Sequence, residues 1–198
     1  KGGEAASSHT GSIAGNMDAY RAAFHQTGII EAESSRELLQ FGRNLSQQPL
    51  PKGENVAIVT NAGGPGVITS DEITERGLQL ADLTNQTLEN LEKEMPEEFT
   101  AANPVDVIGD AGHRRYEHAL EEVLSDENVD AVIVLLTPQA NTKIEKTSKT
   151  IIEKSCETSK PVIPCFMGEE EVKKGNKILS KKDMPVFEDP KDAVKHDR

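Results

Sequence analysis

Tryptophan is absent from this chain of 198 residues, and aromatic side chains make up only 4% of it. Any core must therefore be aliphatic, built on Val, Ile, Leu and Ala. Cysteine is almost as scarce, with Cys156 and Cys165 alone. They lack Cys-x-x-Cys spacing, so they read as reduced structural thiols in a reducing compartment and not as a disulfide framework. Positive charge is short too: 22 Lys and Arg against 34 Asp and Glu leave a net charge of −12. Neutralising nucleic-acid phosphates takes clustered cations, so a nucleic-acid partner is not expected. No run approaches the ~20 apolar residues of a membrane-spanning helix, and no basic segment leads into an apolar one as in a signal peptide. The expectation is a cytoplasmic chain with no membrane partner. Lys1 in place of an initiating Met fits a fragment or a processed chain.

What is present divides in two. Residues 1–15 are small, polar and Gly/Ala/Ser-rich, the composition of a loop. Asn16 is placed to cap a helix carrying Met17, Tyr20 and Phe24, ended by Gly28. Ile29-Ile30 reads as a short strand. Ser34 to Glu37 has capping-box spacing and opens a helix with Leu38, Phe41 and Leu45 on one face. The stretch Gln47 to Gly53 contains Pro49 and Pro51 and reads as an interdomain linker. Beyond it strands alternate with helices: strands at 56–60, 78–83, 131–136, 161–167 and 185–187, with helices between them and a last one starting at Pro190. The run Val56 to Thr60 is continuously apolar, as in a strand buried on both faces of a parallel sheet. The expected fold is α/β, a doubly wound parallel sheet over residues 53–198, preceded at 1–48 by the C-terminal part of another α/β domain. Its ligands would gather beyond the carboxyl ends of the strands.

Several loops can carry chemistry. Ser7-Ser8-His9-Thr10-Gly11 sets an imidazole among small residues, which suits a phosphoryl carrier and equally a solvated loop histidine. His25, His113, His118 and His196 read as solvated helix histidines. Asn61-Ala62-Gly63-Gly64-Pro65-Gly66 follows a strand and precedes a helix expected from about Val67. Its glycines and the helix N-terminus suit an anion, or form a plain tight turn. The spacing is neither the Rossmann fingerprint nor a P-loop. Thr137-Pro138-Gln139-Ala140-Asn141 would open at the same edge. The Asp106 carboxylate of Asn103-Pro104-Val105-Asp106 can orient a ligand or cap the next helix. No metal site is read.

Ala5 to Gly15, Val59 to Gly66 and Asn103 to Asp106, in that order, resemble the ADP-forming acetyl-CoA synthetases, relatives of succinyl-CoA synthetase. The resemblance spans essentially the whole chain. It implies part of an acid–CoA ligase interconverting acyl-CoA, ADP and phosphate with acid, ATP and CoA through a phosphohistidine, and it matches that residue to His9. Residues from about 53 match the family's flavodoxin-like ligase-CoA domain. Asn61 matches a substrate-touching turn, with Ala62, Gly63, Gly64 and Gly66 beside it. Thr137, Pro138, Gln139 and Asn141 match a phosphate-facing turn, although Pro138-Gln139 replace the paired glycines found there. The resemblance implies further partners, a CoA-binding and an ATP-grasp domain or subunit, on which ATP/ADP, Mg²⁺ and CoA would mainly bind. It also implies a small carboxylic acid and phosphate as substrates and an oligomeric enzyme, with this chain alone inactive. The alternative is a regulatory synthetase-like module of a protein acetyltransferase; such regions tend to lose the histidine, and His9 favours the ligase.

Overall fold

A computed structural model describes residues 16–32 and 34–195. The chain divides into two compact units, Lys1–Gln40 and Phe41–Arg198.

In the first unit, α1 runs over Met17–Thr27. The Asn16 side chain accepts from the Asp18 amide at 2.9 Å, and Gly28 closes the helix with φ 69°. Ile29 and Ile30 are exposed and form no strand. A strand needs a neighbour to pair with, and among the described residues none lies alongside. Helix α2, Ser35–Gln47, starts in this unit and ends in the second. Ser34 Oγ accepts from the Glu37 amide at 3.1 Å, satisfying a first-turn donor. Glu37, Phe41 and Asn44 are buried on this helix while Leu38 and Leu45 are exposed, so of the expected Leu38–Phe41–Leu45 face only Phe41 is covered.

The second unit is a five-stranded, wholly parallel sheet. Its strands are β1 Asn55–Thr60, β2 Gln79–Leu80, β3 Val105–Asp106, β4 Ala131–Leu136 and β5 Val162–Phe166. Six helices join or follow them: α3 Gly63–Glu75, α4 Asn85–Glu94, α5 His113–Ser125, α6 Ile144–Cys156, α7 Lys173–Ser180 and α8 Pro190–Lys195. The order is β2-β1-β4-β5, with β3 also on β1. Alternate residues of β1 and β4 feed two cores. Val56, Ile58, Ile133 and Leu135 face Ile73 of α3 and Ala193 and Val194 of α8. Ala57, Val59, Val132 and Val134 face the side carrying Leu91, Tyr116, Leu120, Ile151 and Leu179 of α4 to α7. Burial on both faces explains the unbroken β-branched runs.

Three details depart from the sequence reading. The strand expected at 78–83 pairs only over Gln79–Leu80. The pair Val105–Asp106, read as loop, is a strand whose residues lie opposite Val59 and Thr60. Thus β2 occupies one half of the β1 edge and β3 the other. Between them Asn103 fills the gap: Ile58 N donates to its Oδ1 at 3.0 Å, and its Nδ2 donates to Val56 O at 2.9 Å and Ala81 O at 3.0 Å. The strand expected at 185–187 reduces to one bridge between Phe187 and Cys165, because Pro185 has no amide to donate and α8 begins at Pro190.

Candidate functional site

Strand order reverses between β1 and β4, since one connection from β1 leads outward to β2 and the later one from β3 crosses to β4. In doubly wound sheets such a reversal marks the edge, beyond the carboxyl ends of the strands, where ligands are taken. The two turns at this edge are joined by one side chain. Asn61, 1% exposed, donates from Nδ2 to Thr137 O at 2.8 Å. Its Oδ1 accepts from Thr137 N at 2.9 Å and from Thr137 Oγ1 at 3.1 Å. A primary amide suits this position because it offers a donor and an acceptor side by side. Beneath it, Tyr116 is fully buried and donates its hydroxyl to Leu135 O at 2.8 Å. Burial pushes the Tyr116 phenol up, the Asp106 charge adds to this, and a hydrogen bond from the Asn61 backbone opposes both.

The glycine turn is not a loop before the helix; it is the helix's first turn. Residues Gly63, Gly64, Pro65 and Gly66 are already helical, with Ala62 as an N-cap that has no side-chain hydrogen bond. Thr60 Oγ1 accepts from Ala62 N at 3.1 Å and donates to Ala62 O at 2.9 Å, fixing the entry. Pro65 fits because a first-turn residue has no intrahelical use for its missing amide hydrogen. The Gly63 and Gly64 amides have no acceptor within the helix and lie exposed at its positive end. A β-carbon on Gly64 would meet nothing within 4 Å, whereas on Gly66 it would lie 3.3 Å from Thr60 Cγ2 and 3.5 Å from Pro104 Cβ. Gly64 therefore leaves an open approach, and Gly66 is a packing glycine.

Asp106, carried by β3, lies beside this start: a β-carbon on Gly63 would stand 3.6 Å from its Oδ2. Its Oδ1 accepts from Ile108 N at 2.9 Å, so the carboxylate closes its own turn, while α5 is capped at Gly112 with no side-chain bond. Ile108 there adopts φ 70°, a left-handed conformation unusual for a β-branched residue.

On the β4 side, Pro138 packs on Gly168 after β5, where φ is 136° and a β-carbon would fall 2.6 Å from Pro138 Cγ. Gln139 reaches back toward Thr137 Oγ1 at 3.5 Å and lies over Gly109, whose β-carbon would stand 3.6 Å from Gln139 Cδ. Asn141 is exposed and takes no part in the clasp. The start of α6, at Ile144, opens on a groove of about 480 Å³ lined by residues from 142 to 149 with Glu171 and Lys174; none of residues 61–66 lines it. Asn61, Thr137, Gly63, Asp106 and, through Gly109, Gln139 are thus linked at one edge. His9 and its loop lie outside the described residues.

Sequence reasoning missed Arg115 and Asp110. Both guanidinium nitrogens Nη1 and Nη2 bond the two Asp110 oxygens, and Nη1 also donates to Val107 O at 3.2 Å. The Arg115 hydrogen bond holds the Asp110 carboxyl below its ordinary range against a small opposing effect of burial. Nothing in the local pattern singles out two charges five residues apart across a helix start. Among the described residues no group of three or more His, Cys, Asp or Glu is disposed to hold a metal, and no helix is long and apolar enough to cross a membrane.

A parallel doubly wound sheet whose switch point carries two clasped polar turns and an open glycine helix start defines a flavodoxin-like α/β domain. The chain belongs to the ligase-CoA domain family, which matches residues 56–193, and the succinyl-CoA ligase like flavodoxin domain matches residues 1–45. It is homologous to the ADP-forming acetyl-CoA synthetases. It is 42% identical over 98% of its length to acetate–CoA ligase (ADP-forming) I of Archaeoglobus fulgidus, and 42% identical over 98% to the alpha subunit of acetate–CoA ligase (ADP-forming) II of Pyrococcus furiosus. Among solved structures, the dinucleotide forming acetyl-coenzyme A synthetase 1 of Ca. Korarchaeum cryptofilum in complex with phosphate and ADP matches 98% of the chain with a TM-score of 0.89 and 33% identity. The chain spans 27%, 43% and 42% of these three proteins respectively, less than half of each.

Proposed function

We propose that this chain is the part of an ADP-forming acid–CoA ligase that carries the phosphoryl group and receives it at the sheet edge. His9 is the carrier. Its imidazole nitrogen attacks the phosphorus of an acyl phosphate; the N–P bond forms, the P–O bond to the acyl group breaks, and the acid leaves as its carboxylate. The phosphoryl group then passes from nitrogen to a terminal oxygen of ADP, regenerating the imidazole. Residues 1–48 belong to the preceding domain with the histidine loop, and residues 53–198 are the ligase-CoA domain. ATP, Mg²⁺ and CoA are held mainly by a CoA-binding and an ATP-grasp domain or subunit in a cytoplasmic oligomer, with a small carboxylic acid and phosphate as the remaining substrates.

The observation that carries this reading is the Asn61–Thr137 clasp beside the open Gly63–Gly64 helix start. A transferring phosphoryl group carries charge on its peripheral oxygens. Preoriented amides at a helix N-terminus stabilise such charge without reorganising. Asn61 sets the turn, Gly63 and Gly64 give backbone approach, with Ala62 and Gly66 shaping the helix entry, and Thr137, Pro138, Gln139 and Asn141 form the opposing wall.

The test is to incubate the full-length enzyme with labelled ATP and Mg²⁺ and map the acid-labile, alkali-stable phosphate. Label on His9 is expected. Label on His25, His113 or His118 overturns the assignment, and no label at all favours a regulatory module. Replacing His9 with Ala is expected to abolish turnover and change stability by less than about 0.5 kcal/mol.

A further inference from the structure

The loop 107–112 after β3 stands at this edge of the sheet, with Gly109 against Gln139 of the β4 turn. It contains an energetically unfavourable residue, Ile108 at φ 70°, and the Asp106 carboxylate that precedes it on β3 lies beside an anion-receptive helix start. Something must hold it there. Inside the loop, Ile108 N donates to Asp106 Oδ1 at 2.9 Å and Ala111 N to Ile108 O at 2.9 Å. The remaining anchor comes from the first turn of α5. Arg115 grips both oxygens of Asp110 with its planar fork and at the same time donates to Val107 O at 3.2 Å. One side chain thus ties the start of the loop to its far end, with Ile108 and Gly109 between. Gly109 in turn lies against the Gln139 amide of the β4 turn.

We propose that Arg115 is a positioning residue for phosphoryl transfer, holding Asp106 in register with Gly63 and Gly109 in register with Gln139; this rests on the function proposed above. The geometry requires a fork. Lysine carries the same charge as a single compact point and lacks the planar pair of nitrogens that meets both Asp110 oxygens side by side. Arg115 and Asp110 are both partly exposed, with side chains 25% and 58% accessible, and ion pairs in such settings contribute little to global stability. Loss of the fork should therefore loosen the loop and leave the sheet standing.

The experiment uses full-length enzyme carrying Arg115→Lys, Asp110→Asn or both. Labelling of the carrier histidine is followed from acyl-CoA with labelled phosphate and, separately, from labelled ATP. The expected result for Arg115→Lys is a labelling rate from acyl-CoA and phosphate reduced roughly 10- to 100-fold, the range that a small misplacement produces. ATP-driven labelling and the melting temperature stay at wild-type values. The double variant should be no slower than the slower single variant, because both break one unit. Wild-type rates in both directions overturn the proposal. Equal losses in both directions with a lower melting temperature also overturn it, because they mark a merely structural role. Failure of the wild-type enzyme to become labelled strikes the phosphohistidine reading itself, so the two failures are distinguishable.

Discussion

Asn61→Ala measures directly what the clasp contributes. The substitution removes the acceptor of Thr137 N–H and the donor to Thr137 C=O, which are now 2.9 and 2.8 Å from their partners. A buried backbone group left unpaired costs about 1–3 kcal/mol. Thr137 is half-buried, so water recovers part of this, and the net loss is expected to be about 2–4 kcal/mol. For a protein of this size, that corresponds to a fall of roughly 4–16 °C in melting temperature, at about 2–4 °C per kcal/mol. The assay is urea and thermal unfolding followed by far-ultraviolet circular dichroism. Asn61→Asp gives an independent readout. Burial against the Thr137 carbonyl raises the folded pKa of that carboxyl above its unfolded value. The stabilising protonated form is then fully present below the unfolded pKa and lost as pH rises through the folded one. Relative to wild type, the Asp variant should be least destabilised in acid and progressively worse toward neutrality. A loss under about 0.5 kcal/mol for Asn61→Ala, or an opposite pH slope for Asn61→Asp, refutes the clasp.

Gly64→Val should slow phosphorylation of the carrier histidine in the full-length enzyme while shifting stability by no more than about 1 kcal/mol, because its β-carbon meets nothing within 4 Å; a wild-type rate would place the phosphate elsewhere. Asn103→Ala leaves Ile58 N and Ala81 O short of a partner, while Val56 O keeps the Ala81 amide, and should cost about 2–4 kcal/mol by urea unfolding. Burial pushes the Asp126 carboxyl up, but hydrogen bonds from Thr87, Asn128 and Thr84 outweigh it and leave it below its ordinary value. Its stabilisation is present above the unfolded pKa and lost as pH falls through the folded one, so Asp126→Asn should flatten the acid limb of the stability profile; an unchanged limb would contradict this.

The alternation of strands and helices was legible because each central strand is buried on both faces and helices α4 to α7 turn apolar residues onto the sheet. Asn16 and Ser34 announced their helices as caps, and both accept first-turn amides, as Thr84 does at the start of α4. The errors share a cause. Val105–Asp106 is too short for a period, and its pairing is set by residues 46 positions earlier, where Val59 and Thr60 leave their edge open. Gly63 to Gly66 read as a turn because glycine is a poor helix former, yet Thr60 and Ala62 fix the entry and the helix runs from the first glycine. The apolar spacing of Leu38, Phe41 and Leu45 gave no indication that the polar Glu37 and Asn44 would be buried with Phe41 in place of the two leucines. The Asn61–Thr137 clasp joins residues 76 apart and has no local signature at all.

The split edge bears on why the site stands where it does. Strands of two residues make too few ladder bonds to hold a register by themselves. On β1 the shortfall is met by Asn103, whose amide takes the place of a strand's backbone between β2 and β3, and by Val107 N donating to Thr60 O at 2.8 Å. A continuous strand from 79 through the whole edge would have carried its loop away at the height of Thr60 and left no room for β3. Because β2 departs early, β3 enters with Asp106 opposite Thr60, one residue before Asn61 and three before Gly63. The carboxylate and the glycine start are therefore placed together by the same backbone register that pairs the strands. Shifting β3 by one residue would turn the Asp106 side chain to the opposite face of the sheet. The Asn103 amide thus fixes the chemistry of an edge it does not itself reach.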